Sequence, residues 1–304
     1  MAITKSNDRV PRGDVVASLN FFNPPADGAV PFNYVDTPPA GEPQRNFSDA
    51  THDIVIEDIR GRESEFADSP ESLDKNAFLL VQNLPPSAET DFVDDESIRK
   101  KYYPELEELL LKNVPGSTRV VFFDHTIRRA KKVETVTGTG TGPARGPVLR
   151  VHIDQTAKAA ADRVHRHLPA DEAEKLLQGR FRIINVWRPL NKGPVESSPL
   201  AFASSASVRD EDVVTVEHRY PKERNFIGQT AGIQYHPDQK WHYLSGMTGD
   251  ERLLLECFDS EALKPGQTKV KGGRLAHTAF NDPRSVPDAE PRESIEVRTL
   301  VFGP

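Results

Sequence analysis

The chain has 304 residues, of which 37% are hydrophobic, and it carries a formal net charge of −7. A nucleic-acid or anionic-membrane partner would favour a basic face, so the acidic balance argues against both kinds of partner. The single cysteine, Cys257, excludes an internal disulfide, and no apolar stretch approaches the roughly 18 residues of a membrane span. Residues 1–11 lack the apolar segment of a secretory signal. We therefore expect a cytoplasmic protein, and a homodimer is compatible with this composition.

Residues 1–90 are rich in proline, serine and acidic side chains. We interpret them as an extended N-terminal arm that wraps a core of residues 91–304, within one domain that spans residues 1–304. A helix is predicted to begin near residues 94–97, where acidic side chains precede apolar residues at helical spacing. An Asn-Val-Pro-Gly sequence at residues 113–116 is expected to end it.

The rest of the chain is typical of short strands. Strands are predicted at residues 119–124 and 148–154, and a helical insertion at about residues 156–179. Further strands are predicted at residues 181–187, 213–216, 232–235, 241–244, 253–258, 274–280 and 294–302. Short strands punctuated by turn residues indicate a mainly β fold with flanking helices, built on a double-stranded β-helix, which is a jelly-roll, cupin-like core.

The strongest chemical signal is the pair His152 and Asp154. Alternate side chains of a strand point to the same face, so an imidazole and a carboxylate separated by one residue can bind one cation together. His277, in a late predicted strand, is the third ligand candidate. Two histidines and one carboxylate on one face of an octahedron are the ligands of non-haem Fe(II) oxygenases, which leave open positions for oxygen and a co-substrate. We therefore predict a catalytic iron site at these three residues.

An Arg-x-Ser pair, Arg292 and Ser294, follows His277 and begins the last predicted strand. A guanidinium offers a planar fork for a carboxylate, and a hydroxyl adds a hydrogen bond. Both groups suit the far carboxylate of 2-oxoglutarate. Arg298 has the same strand parity as Arg292, so alternation leaves both arginines open, and the spacing from His277 favours Arg292.

Other histidines are poorer ligand candidates. His165 and His167 lie two residues apart on a predicted helix and so point to different faces. His125 is at a strand end, from which it could approach the site. Three more lie in hairpin regions without a partner of matching parity: His218, His236 and His242.

Six blocks in order resemble the CmcJ/NvfI family of oxidoreductases, which includes AsaB-type hydroxylases and desaturases of fungal and bacterial secondary metabolism. The blocks lie at residues 123–129, 151–156, 184–190, 254–260, 276–283 and 291–298. The resemblance implies iron(II), 2-oxoglutarate and molecular oxygen, with His152, Asp154 and His277 as ligands. It also implies that the strand with Asn185 and Trp187 lines the site, and that the reaction is a hydroxylation, a desaturation or an oxidative cyclisation of a small molecule.

Two other functions remain open from the residues. An iron oxygenase could draw electrons from its substrate instead of 2-oxoglutarate, and Arg292 would then bind a substrate carboxylate. A jelly-roll binding protein with no catalysis is the other alternative. Substrate is expected to contact the N-terminal arm and the loops at residues 191–207 and 220–229. Arg128 and Arg129 could bind a substrate carboxylate, although solvated surface charge is the favoured interpretation of both.

Overall fold

Fourteen strands organise the part of the chain that the computed structural model describes, which comprises residues 9–67, 69–129, 146–220 and 227–303. In chain order they are β1 (Val15–Asn23), β2 (Phe32–Tyr34), β3 (Ser48–Asp58), β4 (Phe78–Val81), β5 (Arg119–Arg129), β6 (His152–Ile153), β7 (Phe181–Pro189), β8 (Leu200–Ala203), β9 (Val213–Arg219), β10 (Ile227–Ile233), β11 (Trp241–Tyr243), β12 (Arg252–Asp259), β13 (His277–Ala279) and β14 (Glu293–Phe302).

These strands form two sheets. The larger has the order β1-β3-β11-β8-β13-β6-β10-β9-β2, and the smaller has the order β4-β12-β7-β14-β5. Apart from the consecutive pair β9 and β10, the neighbours in each sheet are not consecutive in the chain, as expected for a jelly roll. The predicted mainly β, double-stranded β-helix fold is therefore confirmed.

Strands from the first ninety residues pair with both sheets. Along β1, Val15, Ala17, Leu19 and Phe21 are buried in alternation with more exposed residues, and β1 pairs antiparallel with β3 at the edge of the larger sheet. Strand β4 pairs antiparallel with β12 in the smaller sheet. The division into an arm of residues 1–90 and a core of residues 91–304 stays a prediction.

The helices lie outside the sheets and are short. They are α1 (Glu63–Phe66), α2 (Glu71–Asn76), α3 (Asp95–Ser97), α4 (Tyr103–Asn113), α5 (Ala157–His167) and α6 (Ala170–Leu176), and a π-helical turn, Ile98–Tyr102, joins α3 to α4. Asp94 caps α3 by accepting a hydrogen bond from the Ser97 backbone, and Thr156 caps α5 in the same way. None of the helices in the described ranges has the length and apolar character needed to cross a membrane.

Two apolar layers determine which side chains face the interior of the barrel. One cluster lies between the two sheets, and a second lies between the smaller sheet and α4. Ile295 and Val297 of β14 pack into the second cluster, beneath α4. Strand alternation therefore turns Ser294, Glu296 and Arg298 towards the barrel interior.

Several strand predictions were wrong in extent. The strand predicted at residues 148–154 is reduced to His152–Ile153, and the one predicted at 274–280 is reduced to His277–Ala279. Residues 191–207, predicted to be a loop, contain β8, which pairs with both β11 and β13. Its sequence, Leu-Ala-Phe-Ala, has no alternation because all four residues are buried. Much of the other predicted loop, residues 221–226, lies outside the described residues.

Candidate metal centre

The three predicted ligands converge in the middle of the larger sheet. Strands β6 and β13 are antiparallel neighbours, and His152 lies directly opposite His277 in their register. The two imidazole centroids are 4.4 Å apart, and Nε2 of His152 is 3.4 Å from Oδ1 of Asp154. One potential ligand atom from each residue lies within 4.8 Å of the others. No other such group of three is present among the described residues.

Backbone carbonyls orient both imidazoles. The Nδ1 atom of His152 is 2.8 Å from the Arg150 carbonyl, and that of His277 is 3.2 Å from the Leu275 carbonyl. An Nδ1–H that donates to a carbonyl leaves the Nε2 lone pair free for a metal. Burial, together with the neighbouring His152, lowers the pKa of His277 to about 4, so this imidazole is neutral at pH 7. The pair therefore presents two Nε2 atoms as candidate donors.

Two hydrogen bonds hold the second carboxylate oxygen of Asp154, the one that does not face the imidazoles. Oδ2 accepts a hydrogen bond from Nδ2 of Asn185 at 2.7 Å and from Nε of Arg298 at 3.0 Å. Burial alone would raise the pKa of Asp154, but the charge of Arg298 and a hydrogen bond from His152 hold it well below its usual range. Asp154 is thus an anion at neutral pH, with Oδ1 directed towards the imidazoles.

Arg298 is saturated with anionic and polar partners. Besides Asp154, its guanidinium donates to Oδ1 of Asp124 at 3.1 Å and to Oγ1 of Thr126 at 3.0 Å, and it lies 3.4 Å from Oε1 of Glu296. Burial raises the pKa of Glu296 to about 7. The charge of Arg298 offsets this effect only in part, and the neighbouring Asp154 adds to it. Arg298 therefore positions the ligand Asp154 and has little capacity left for a further carboxylate.

Arg292, in contrast to Arg298, is buried with few polar partners among the described residues. It is 3% exposed, its Nη1 donates to the Ser198 carbonyl at 2.6 Å, and its Nε has no partner among the described residues. The guanidinium lies 5.5 Å from the Trp187 ring centroid, and no carboxylate forms an ion pair with it within the described ranges. Burial and the nearby Arg128 lower its pKa to about 10. Ser294, which is also buried, is the next inward-facing residue along the strand.

Two cavities, of about 300 and 250 Å³, meet beside Asp154. Both are lined by Asp154, Arg128, His218 and Thr230. Arg128, for which a solvated surface charge was expected, thus lines both cavities, and its Nη1 donates to the Gly146 carbonyl at 3.0 Å. His218 was missed as a site residue, because the Thr230 hydroxyl that contacts its Nε2 at 2.9 Å lies on another strand and leaves no sequence signal.

Other polar residues of the sequence analysis lie away from the site. His125 contacts the Tyr103 hydroxyl at 2.9 Å and Asp95 at 3.2 Å on the side of the small sheet that faces α4. Arg129 forms a partly exposed ion pair with Glu293 at 2.9 Å, as expected for a surface charge. These contacts leave neither side chain directed towards Asp154.

The donor set fits a divalent metal of the iron class. Metal–ligand bonds of about 2.1 Å at right angles place adjacent ligand atoms about 3 Å apart, close to the 3.4 Å between His152 and Asp154. Two imidazoles and one carboxylate on a single side of an ion would leave its other side open. Both histidines donate a hydrogen bond from Nδ1 to a backbone carbonyl, and Oδ2 of Asp154 accepts one from Asn185, which are the supporting contacts that such ligands require.

A family profile described as oxidoreductase/YMDC permease-like domain matches residues 19–302. The chain belongs to this oxidoreductase family. It is 38% identical to the hydroxylase/desaturase poxK of Penicillium oxalicum, over 96% of this chain and 92% of that protein. It is 33% identical to the Fe(II)/2-oxoglutarate-dependent dioxygenase nvfI of Aspergillus novofumigatus, over 94% of this chain and 96% of that protein.

A solved structure also resembles this member of the family. A variant of the iron and alpha-ketoglutarate-dependent endoperoxidase NvfI aligns with a TM-score of 0.80 and 29% identity, over 96% of this chain and 98% of that chain. The predicted family and the enzyme class, an oxygenase that uses iron(II), 2-oxoglutarate and oxygen, are thereby confirmed.

Proposed function

We propose that this chain is an Fe(II)/2-oxoglutarate-dependent dioxygenase that oxidises a small-molecule intermediate of secondary metabolism, with His152, Asp154 and His277 as the metal ligands. The observation that carries the proposal is the convergence of these three donors, with one potential ligand atom from each residue within 4.8 Å of the others. Relatives named as dioxygenases, hydroxylases and desaturases support the reaction class. A cytoplasmic location and a homodimer remain predictions.

Arg292 and Ser294 are proposed to bind the far carboxylate of 2-oxoglutarate. A buried guanidinium without a carboxylate partner is costly, and a dicarboxylate co-substrate would supply the missing anion. Arg298, by contrast, already contacts Asp154, Asp124 and Glu296. We therefore assign co-substrate binding to Arg292 and support of Asp154 to Arg298, with Asn185 as the second support.

Bound iron(II) and 2-oxoglutarate supply the activation of oxygen, in which the co-substrate loses carbon dioxide. In a hydroxylation, one oxygen atom enters the substrate, R–H becoming R–OH, and the other enters succinate. In a desaturation, the substrate loses two hydrogens, which leave with that oxygen atom as water. The chain's own contribution is to hold the three ligands, to keep His277 unprotonated, and to place a substrate carbon in the cavities beside Asp154.

Anaerobic addition of Fe(II) and 2-oxoglutarate tests the proposal. The wild type should develop the visible charge-transfer absorption of a 2-oxoglutarate chelate, and His277→Ala should not. His165→Ala removes an exposed histidine of α5 and is the matched control, which should behave as the wild type. Absence of the band in the wild type would refute the use of 2-oxoglutarate.

A second measurement separates the two arginines. Arg292→Gln should weaken 2-oxoglutarate binding by about tenfold or more, since a charge-assisted contact contributes about 1.5–3 kcal/mol. Binding of Mn(II) alone should be unchanged, because Arg292 does not contact a ligand. If Arg292→Gln binds 2-oxoglutarate as the wild type does, the assignment to Arg292 is wrong.

A further inference from the structure

One face of α5 lines the larger of the two cavities beside Asp154. Ala159, Asp162, Arg163 and Arg166 lie on this face at helical spacing. Ala160 and Val164 of the same helix are fully buried in the apolar cluster between the sheets. The orientation of α5 is therefore determined by its apolar side, which directs Arg163 into the cavity.

The charge of Arg163 has no carboxylate partner among the described residues. Its guanidinium carbon lies 4.7 Å from the centroid of the Phe123 ring, which supports the planar group from one side. The charge of Asp124 acts on Arg163, but Oδ1 of Asp124 accepts a hydrogen bond from Nη1 of Arg298 at 3.1 Å. Burial lowers the pKa of Arg163, as expected for a cation that is removed from water without full compensation.

The other carboxylates of this cavity are also occupied. Asp162 forms an ion pair with Lys158 at 2.6 Å, and Asp154 is held by Asn185 and Arg298. Among the described residues, four arginines and three aspartates line the cavity, which leaves one formal positive charge. A divalent metal and dianionic 2-oxoglutarate would add charges of opposite sign that cancel. The described lining would thus retain its formal charge of about +1, which favours an anionic group of the substrate at this end.

The walls of the second cavity are mostly apolar. Its walls include Phe22, Phe47, Val148, Val151 and Val216, and it also reaches His152. Arg128, Asp154, His218 and Thr230 are common to both cavities. A molecule that spans the two would therefore meet a cation at one end and apolar side chains beside the metal ligands at the other.

We propose that the substrate is an amphiphilic monoanion whose carboxylate is bound by Arg163 and whose apolar body lies beside His152 in the second cavity. This inference rests on the proposed oxygenase function and names the substrate class of the same site. Arg163 acts as a specificity-determining residue, because a guanidinium presents a planar fork that matches a carboxylate. Anchoring one end of the substrate fixes which carbon is closest to the metal ligands.

A pair of probes that differ only in charge tests the proposal. Octanoate and octanamide have the same chain length, and their binding to the full chain loaded with Mn(II) and 2-oxoglutarate can be measured by calorimetry. The wild type should bind octanoate about tenfold or more tightly than octanamide. Arg163→Gln should abolish this preference and leave octanamide binding unchanged, whereas Arg163→Lys should keep part of it.

Lys175→Gln is the matched control, because it removes one exposed positive charge from the neighbouring helix α6. It should keep the wild-type preference. Equal binding of the two probes by the wild type, no binding of either probe, or an unchanged preference in Arg163→Gln would each overturn the proposal.

Before either probe is added, each protein is titrated with 2-oxoglutarate, which shows whether its metal site is folded. Arg163→Gln should bind Mn(II) and 2-oxoglutarate as the wild type does, which shows that the site is intact. Failure of the wild type to bind 2-oxoglutarate would refute the proposed function. The preference for octanoate, measured with Mn(II) alone, would still test Arg163 on its own.

Discussion

Replacing Asn185 with alanine should weaken metal binding although Asn185 is not a ligand. The side chain is fully buried, and its Nδ2 lies 2.7 Å from Oδ2 of Asp154 and 2.5 Å from Oε1 of Glu296. It therefore holds the carboxylate of the proposed ligand and donates to two neighbouring acidic groups at once. Asn185→Ala removes both contacts and leaves Arg298 as the remaining support of Asp154.

The size of the effect follows from these contacts. Loss of a hydrogen bond to a charged group costs about 1.5–3 kcal/mol, which corresponds to about 10–150-fold in a dissociation constant. Residues that support metal ligands typically change metal affinity by about 10–100-fold when mutated. We therefore expect Asn185→Ala to bind Mn(II) about 10–100-fold more weakly than the wild type. Asn185→Asp should be weaker still at neutral pH, because a third carboxylate then adjoins Asp154 and Glu296.

Mn(II) binding can be measured by calorimetry without 2-oxoglutarate. Asn191→Ala is a matched control, because Asn191 is also a buried asparagine and its amide contacts Pro291 and Glu293, not a ligand. This control should lose stability and keep its Mn(II) affinity. A wild-type affinity in Asn185→Ala would refute the role assigned to the amide, and an equal loss in both variants would indicate general destabilisation.

Three further predictions concern other parts of the molecule. Burial opposes ionisation of Glu251, but the hydrogen bond from Arg60 contributes to a lowered pKa of this carboxyl. The ionised Glu251 therefore stabilises the fold at neutral pH, and this stabilisation is lost as the pH falls below about 4.5. Glu251→Gln should show a smaller loss of unfolding free energy on acidification than the wild type, and an equal loss would contradict this. Gly232→Ala places a Cβ 2.6 Å from the Phe22 ring and should cost about 1–3 kcal/mol in urea denaturation, whereas a neutral effect would show that the ring moves freely. His218→Ala should keep wild-type Mn(II) affinity, since its Nε2 contacts the Thr230 hydroxyl, and a large loss would make His218 part of the metal site.

The candidate metal ligands could be selected from the sequence because their selection depends on local rules. Strand alternation places His152 and Asp154 on one face, and a jelly roll brings a late strand beside an early one. The pairing of His277 opposite His152 is consistent with that expectation. The supporting residues are different, because the contact between Asn185 and Asp154 joins two sheets that no short sequence pattern relates.

Strand alternation cannot decide which of Arg292 and Arg298 binds the co-substrate. Arg298 lies in β14 and Arg292 immediately precedes it at a position of the same parity, so alternation treats them as equal. The tertiary structure surrounds Arg298 with three carboxylates and leaves Arg292 buried without one. Electrostatic environment depends on which strands lie opposite, and that is a property of the folded sheets.

The sequence by itself determined the jelly-roll class, the family and the three metal-ligand candidates, because strand periodicity and closely spaced motifs are local. Only the tertiary structure decided that Arg298 supports Asp154, that β8 lies in a segment predicted to be a loop, and that Arg163 faces the cavity beside the metal ligands. These features arise where residues distant in sequence meet. Burial and the pairing of charges there depend on all the surrounding elements at once.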